Sequence, residues 1–201
     1  MTSSRLPGKI LMEAAGKPML EHMVERLRRV SLLEDIIIAT TTNAQDDAVI
    51  KLAEKLQVRW YRGSEHDVLG RVLAAAKKNE VDIIVETTGD CPLIDPDIVS
   101  TTIEAFTSSN VDYVSNALEP RTYPVGMDTQ VFATSILADV ASKTKDPEDR
   151  EHVSLFIYNN PQIYELKSVR APNHHRAPQV RLTLDTPEAV SYTHLTLPTK
   201  A

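Results

Sequence analysis

One cysteine, Cys91, is the only thiol in the chain, so no internal disulfide can staple the fold. No apolar run approaches the ~20 residues needed to span a bilayer, and no signal peptide opens the sequence. Basic residues are in deficit: 22 Lys and Arg against 28 Asp and Glu leave a formal charge of -6, the wrong balance for a surface that neutralises nucleic-acid phosphates. Any phosphate site must therefore be local. Internal repeats and low-complexity segments are also missing. What is present is an ordinary globular balance, 42% hydrophobic and 25% charged over 201 residues, enough for one domain with a real core. These exclusions predict a soluble cytoplasmic protein that binds neither nucleic acid nor membrane.

The most informative phrase is Ser3-Ser4-Arg5-Leu6-Pro7-Gly8-Lys9, followed by Gly16-Lys17-Pro18. A glycine lets the backbone approach phosphate oxygens without a Cβ clash, and the flanking Arg and Lys supply charge. It reads as a triphosphate-binding loop. Such a loop normally leaves a strand and leads into a helix whose first amides add anion affinity. Here the helix is readable, from Met19 to Val30, but no strand precedes the loop. We therefore expect a nucleotide-using domain that lacks its first strand.

Beyond the loop, apolar β-branched runs alternate with helical periodicity. Strands are predicted at 36–40, 58–61, 83–87 and 112–114, and helices at 45–56, 68–78 and 98–106, the last opened by Asp95-Pro96 as cap and first-turn proline. That alternation implies a parallel sheet flanked by helices. After Ser115 come a loop marked by Pro120, Pro124 and Gly126, then a strand at 129–132, helices at 136–141 and 147–158, and strands at 164–169 and 180–184. The Thr-rich stretch 191–201 breaks the pattern and resembles translated sequencing-adaptor read-through, so a domain over 1–190 and a non-native or disordered tail are expected.

Thr88-Gly89-Asp90-Cys91-Pro92 follows a buried strand, which places Asp90 at a carboxyl end, where ligands collect in parallel sheets. Leu184-Asp185-Thr186-Pro187 repeats the arrangement. Two carboxylates at two strand ends suggest a shared Mg²⁺, which takes one or two carboxylates and fills its shell with phosphates and water. Spacing alone equally allows each Asp merely to cap a turn. Cys91 reads better as a small packed group than as a nucleophile, and His174 and His175, being adjacent, point apart if extended.

Taken together, the phrases at 3–9, 16–19 and 88–96 with Asp67-Val68-Leu69-Gly70-Arg71, Arg121-Thr122-Tyr123-Pro124-Val125-Gly126-Met127-Asp128, Arg150-Glu151-His152-Val153 and Leu184-Asp185-Thr186-Pro187-Glu188 resemble the cytidylyltransferase superfamily that makes CMP-activated sugars. The likeness is strongest to its spore coat polysaccharide branch. It covers 1–190 in matching order. The resemblance implies an α/β, Rossmann-like (GT-A-type), mostly parallel sheet flanked by helices, and transfer of CMP from CTP to a sugar acid with release of pyrophosphate. It also implies that Arg5 and Lys9 are catalytic, that Ser4, Arg5, Leu6, Gly8, Lys9, Asp67, Arg71, Thr88 and Gly89 line the nucleotide, and that Asp90 and Asp185 hold Mg²⁺. Arg121, Tyr123, Asp128, Glu151 and His152 fall in segments that line the sugar, and a homodimer is a possible assembly.

Departures from the family pattern carry expectations too. Members begin with a strand ending in Ala-Arg, so Met1 reads as an internal methionine, and Val125 stands where an acidic residue is common. No side chain stands out as a general base. A non-catalytic nucleotide-sugar-binding domain, or another sugar nucleotidyltransferase or glycosyltransferase of related fold, would carry the same loop.

Overall fold

The computed structural model describes residues 6–184. After a 3₁₀ turn at Lys9–Leu11, a small hairpin pairs β1 (Glu13–Ala14) with β2 (Lys17–Pro18). Its two turn residues, Ala15 and Gly16, both take positive φ, the tight connection whose twist suits paired strands. Helix α1 (Met19–Leu27) buries Leu20, Met23, Val24 and Leu27, the stripe its period demands. Then follow β3 (Ile37–Thr41), α2 (Asp47–Lys55), β4 (Arg59–Gly63), α3 (Val68–Lys78), β5 (Ile83–Glu86), α4 (Pro96–Thr107) and β6 (Tyr113–Ser115). The chain returns through β7 (Gln130–Ala133), α5 (Thr134–Lys143), α6 (Pro147–Glu151), α7 (Leu155–Asn159) and β8 (Leu166–Ser168).

β3 and β4 pair in parallel, and a second sheet runs β5-β7-β6-β8. In that sheet only β7 is reversed, being antiparallel to both neighbours, because a loop rather than a crossover helix joins it to β6. Among the described residues β3 pairs only with β4 and β5 only with β7. One core joins α1, α2 and α4 through Val24, Leu52, Val99 and Val131, with Ile38 and Val85 packed against it. The opposite face of β5-β7-β6 packs Ile84, Phe132 and Tyr113 against Leu69, Leu137 and Ile157. Among the described residues no helix is long and apolar enough to cross a membrane.

Two elements differ from the sequence reading. The helix expected over 147–158 is broken, with α6 ending at Glu151 and α7 starting at Leu155. Between them Val153 sits at φ 25 and is buried. Positive φ in a β-branched residue costs on the order of 1–3 kcal/mol, so tertiary contacts must hold it there. The strand expected over 180–184 is a single bridge, Arg181 to Val125: the Val125 amide donates to the Val180 carbonyl at 2.9 Å and its carbonyl accepts from Leu182 at 2.7 Å, while the Leu184 amide turns to the Asp90 carbonyl instead of extending the ladder. Gly126 permits this approach, since a Cβ there would lie 2.9 Å from the Leu182 carbonyl carbon.

A polar row crosses the end of the larger sheet. Glu86 pairs with Gln130, Gln130 with Ser115, and Ser115 with Ser168. Each lies two residues from a core member of its own strand, so all four share the face that carries Ile84, Phe132 and Tyr113. The Ser154 hydroxyl, from the turn before α7, donates to Gln130 Oε1 at 2.6 Å and lies 3.3 Å from the Tyr113 hydroxyl. Burial pushes the Glu86 carboxyl up to about 8, against a hydrogen bond with Ser154 that lowers it. Glu86 is therefore neutral in the fold at pH 7, and its Oε2 is buried without a partner.

The unfolded chain releases that proton near pH 4.5 while the folded chain keeps it to about 8, so this group makes stability fall as pH rises between those values. We expect Glu86→Gln to raise the thermal midpoint over the parent at pH 8 by roughly 5 °C or more, the gap closing toward pH 5. Equal midpoints for parent and variant at both pH values would contradict a neutral Glu86.

Candidate functional site

The loop at the start of the described residues is shaped by two constraints. Leu6 is buried in a small cluster with Ala14, Met19 and Leu184, and Gly8 turns the chain at φ 71. That turn delivers Lys9, whose Nζ donates to Asp90 Oδ2 at 2.7 Å. Asp90 stands in the turn after β5, where the Cys91 amide donates to the Thr88 carbonyl at 3.1 Å. Gly89 faces the loop, since a Cβ built there would lie 3.7 Å from Ile10 Cγ2. From the far end of the chain, the Leu184 amide donates to the Asp90 carbonyl at 2.9 Å. Three segments distant in sequence thus meet at Asp90.

Burial raises the Asp90 carboxyl, but hydrogen bonds from Lys9 and Thr88 and the Lys9 charge outweigh it and hold the group below the ordinary carboxylate range. It is ionised, partly buried and balanced by one ammonium. Among the described residues no three His, Cys, Asp or Glu side chains cluster as metal ligands. A single ionised carboxylate at a strand end fits a magnesium ion that draws its other ligands from phosphates and water, and does not fit an all-protein cage. Ser4, Arg5 and Asp185 lie outside the described residues; their neighbours Leu6 and Leu184 share one buried cluster.

Asp67 is built into the scaffold. It caps α3 by accepting from the Gly70 amide at 2.8 Å, and its other oxygen accepts from Arg150 Nη2 at 2.6 Å. Burial raises its carboxyl, while the Arg150 and Gly70 hydrogen bonds hold it below the ordinary range. Arg71, one turn on, donates to the Ser64 carbonyl and packs its Cγ against Gly63. Asp46, which the sequence reading passed over, is buried at the carboxyl end of β3 and accepts from the Thr40 hydroxyl and from the amide and hydroxyl of Thr41. Burial opposes ionisation there, but those donors prevail and push the carboxyl down to about 2. The signal in the sequence is a threonine pair ending a strand shortly before an Asp at a helix start.

On the expected sugar side, Arg121 grips Asp128 through two hydrogen bonds of 2.5 and 3.0 Å. That pair lies within electrostatic reach of Cys91, the neighbour of Asp90. Asn116, also passed over, fixes the Asp128 end of the loop by donating to the Met127 carbonyl and accepting from the Thr129 amide. Tyr123 faces inward: it is 4% exposed, packs with Val114, Val169 and Ala171, and its hydroxyl lies 3.5 Å from the Arg170 carbonyl. Glu151 and His152 are exposed at the end of α6. Cys91 is buried and its thiol is pushed up to about 12, chiefly by that burial, so it is no thiolate nucleophile at pH 7.

A family model for cytidylyltransferases matches residues 1–196. The spore coat polysaccharide biosynthesis protein SpsF of Bacillus subtilis is 34% identical over 196 residues, covering 94% of this chain and 79% of that protein. The 3-deoxy-manno-octulosonate cytidylyltransferase of Trichlorobacter lovleyi is 29% identical over 188 residues, 81% of this chain and 73% of its own. Among solved structures, a cytidylyltransferase from Leptospira borgpetersenii superposes with a TM-score of 0.90 at 34% identity, covering 96% of this chain and 81% of that one.

The placement of Asp67 predicts a graded response. Asp67→Ala removes cap and ion pair and should cost about 1–2 kcal/mol in urea unfolding, whereas Asp67→Asn keeps a capping oxygen and should lose less. Unchanged stability in both variants, with weakened nucleotide binding, would assign Asp67 to the ligand rather than to the helix.

Proposed function

Because this chain belongs to the cytidylyltransferase family, we propose that it transfers CMP from CTP to a sugar acid, releasing pyrophosphate, for the synthesis of a polysaccharide or surface glycan. The observation that carries this reading is the pairing of Lys9 with Asp90, reinforced by the Leu184 amide on the Asp90 carbonyl. It joins a cationic, glycine-turned loop to an ionised carboxylate at a strand end, the two charge types a nucleoside triphosphate and its cation require.

In the reaction a sugar hydroxyl oxygen forms a bond to the α-phosphorus of CTP, the bond from that phosphorus to the pyrophosphate oxygen breaks with its electron pair leaving on pyrophosphate, and the hydroxyl proton passes to solvent water. Asp90, with Asp185, would hold Mg²⁺, which supplies charge neutralisation at the phosphate oxygens and lowers the pKa of the attacking hydroxyl. Lys9 stabilises the negative charge that builds on those oxygens. Gly8 and Gly89 keep the approach to them clear of side chains. Before substrate arrives, Lys9 and Asp90 satisfy one another, so neither charge is left unpaired in a half-buried place. The Arg121–Asp128 pair holds the guanidinium in a fixed orientation, and the acceptor's carboxylate is the ligand proposed for it.

The experiment is pyrophosphate release from CTP and Mg²⁺ across a panel of ulosonic and nonulosonic acids. We expect release with at least one acid, and a fall in kcat of about 100-fold or more in Asp90→Asn, the scale of losing a transition-state charge partner. Silence on every acid, with CTP binding unaltered by Asp90→Ala, would identify a nucleotide-sugar-binding domain without turnover.

A further inference from the structure

The charges of this chain are unevenly laid out. Between Glu165 and Asp185 no acidic residue occurs, while Lys167, Arg170, His174, His175, Arg176 and Arg181 all fall there, in a chain whose formal charge is -6. Apart from Lys167 these are exposed residues. The segment is anchored at several points. Thr122, 3% exposed, takes both ends of the loop that carries His174, His175 and Arg176: its hydroxyl accepts from the Ala171 amide at 2.9 Å and its carbonyl from the Ala177 amide at 3.1 Å. Just before that loop Arg170 donates to the carbonyls of Glu119 and Pro120, neutral oxygens that leave its charge uncancelled. Farther along, Val180 and Leu182 bond Val125, and the Leu184 amide bonds the Asp90 carbonyl. The basic segment is thus laid along the loop 119–128 and ends at the Lys9–Asp90 contact.

We propose that residues 170–181 form a cationic rim that guides anionic substrates, CTP and the acceptor acid, toward the Lys9–Asp90 site and raises their rate of association; the identity of those substrates rests on the function proposed above. Both substrates of that reaction are anions, and a chain of net charge -6 repels them at long range. A surface charge acts over roughly one Debye length, ~10 Å at 0.1 M salt, so a rim offsets that repulsion only where it borders the way into the site. Arg181 lies three residues from Leu184, a span of at most about 10 Å of extended chain, and Leu184 bonds Asp90. Arg176 precedes Ala177, whose amide bonds Thr122, the neighbour of Arg121. Of the two acids in loop 119–128, Asp128 pairs with the Arg121 guanidinium at 2.5 Å and the Glu119 carboxylate accepts from the Arg121 amide at 2.9 Å, so the rim outnumbers the carboxylates beside it. The rim is not catalytic. Its charges act on the approaching anion, so their effect falls on association and its salt dependence rather than on the chemical step.

The test follows binding of a fluorescent cytidine triphosphate analogue to the full chain with Mg²⁺ by stopped flow, at about 20 and about 300 mM salt, where the screening length changes several-fold. The association rate of the parent should fall on the order of tenfold between the two. Arg176→Glu should lower the rate at low salt roughly threefold, leave dissociation within about twofold, and match the parent at high salt. Arg176→Lys keeps the charge and should behave as the parent. Lys77→Glu makes the same change of net charge at the closing end of α3, which leads into the start of β5 and so away from the end that carries Asp90; it should leave the low-salt rate within about 1.5-fold. An equal loss in Lys77→Glu and Arg176→Glu would reduce the effect to net charge and overturn the rim. So would a rate that Arg176→Glu leaves unaltered, or one that it lowers equally at both salt concentrations. Guided binding of the analogue with no pyrophosphate released from any acid would count against the transfer reaction and not against the rim, whereas no binding at all would overturn both.

Discussion

The chemistry available to this chain depends on a contact of 2.7 Å between Lys9 and Asp90. Lys9 comes from a loop near the start of the sequence and Asp90 from the turn after β5, so the pair closes a long excursion of chain around one point. The Leu184 amide on the Asp90 carbonyl brings a third segment to the same place, guided there by the clasp of residues 180–182 on Val125. Charges of opposite sign held together in a partly buried place remain ionised and oriented. Under the proposed function a triphosphate and a cation would exchange for an interaction already oriented, which is what preorganisation means in electrostatic terms.

Around this point the fold spends stability on placement. Val153 occupies a backbone region that a β-branched residue avoids, and Glu86 is a carboxyl in a core face that would hold an apolar side chain at lower cost. Val153 belongs to the cluster of Phe132, Tyr113 and Ile157, and Glu86 lies on the sheet face that this cluster covers. Asp67 and Asp46 show the opposite use of carboxylates: each is ionised, each is surrounded by donors, and each fixes a loop at the end of an element. The same residue type is thus held neutral or charged according to whether donors or apolar side chains surround it.

Much of the fold was legible before the structure. Helix α3 runs over Val68–Lys78, the bounds its periodicity predicts, because the apolar stripe and the two closing lysines agree, and the structure adds Asp67 as its cap. The cap and proline at Asp95-Pro96 likewise open α4. The continuous helix over 147–158 misled because its apolar spacing suits a helix; the partners of the break, Gln130 and Tyr113 on Ser154 and the core around Val153, lie outside the segment. Glu86 could have been noticed as a lone carboxylate in the strand Ile83-Ile84-Val85-Glu86, in phase with buried Ile84, but what neutralises it comes from the face packed above. Tyr123 sits in a motif with chemical promise and turns into the core, since a motif carries residue types and not directions.

Most of the order of strands and helices, the strand-end position of Asp90 and the family follow from the sequence itself, because periodicity and motif order are local properties that survive without a fold. Which side chains meet does not. That Lys9 pairs with Asp90, that Asp67 ties to Arg150, that β7 runs backward and that Glu86 is neutral were decided only when distant segments packed. Burial and long-range hydrogen bonds set those outcomes, and neither is written in any short stretch of residues.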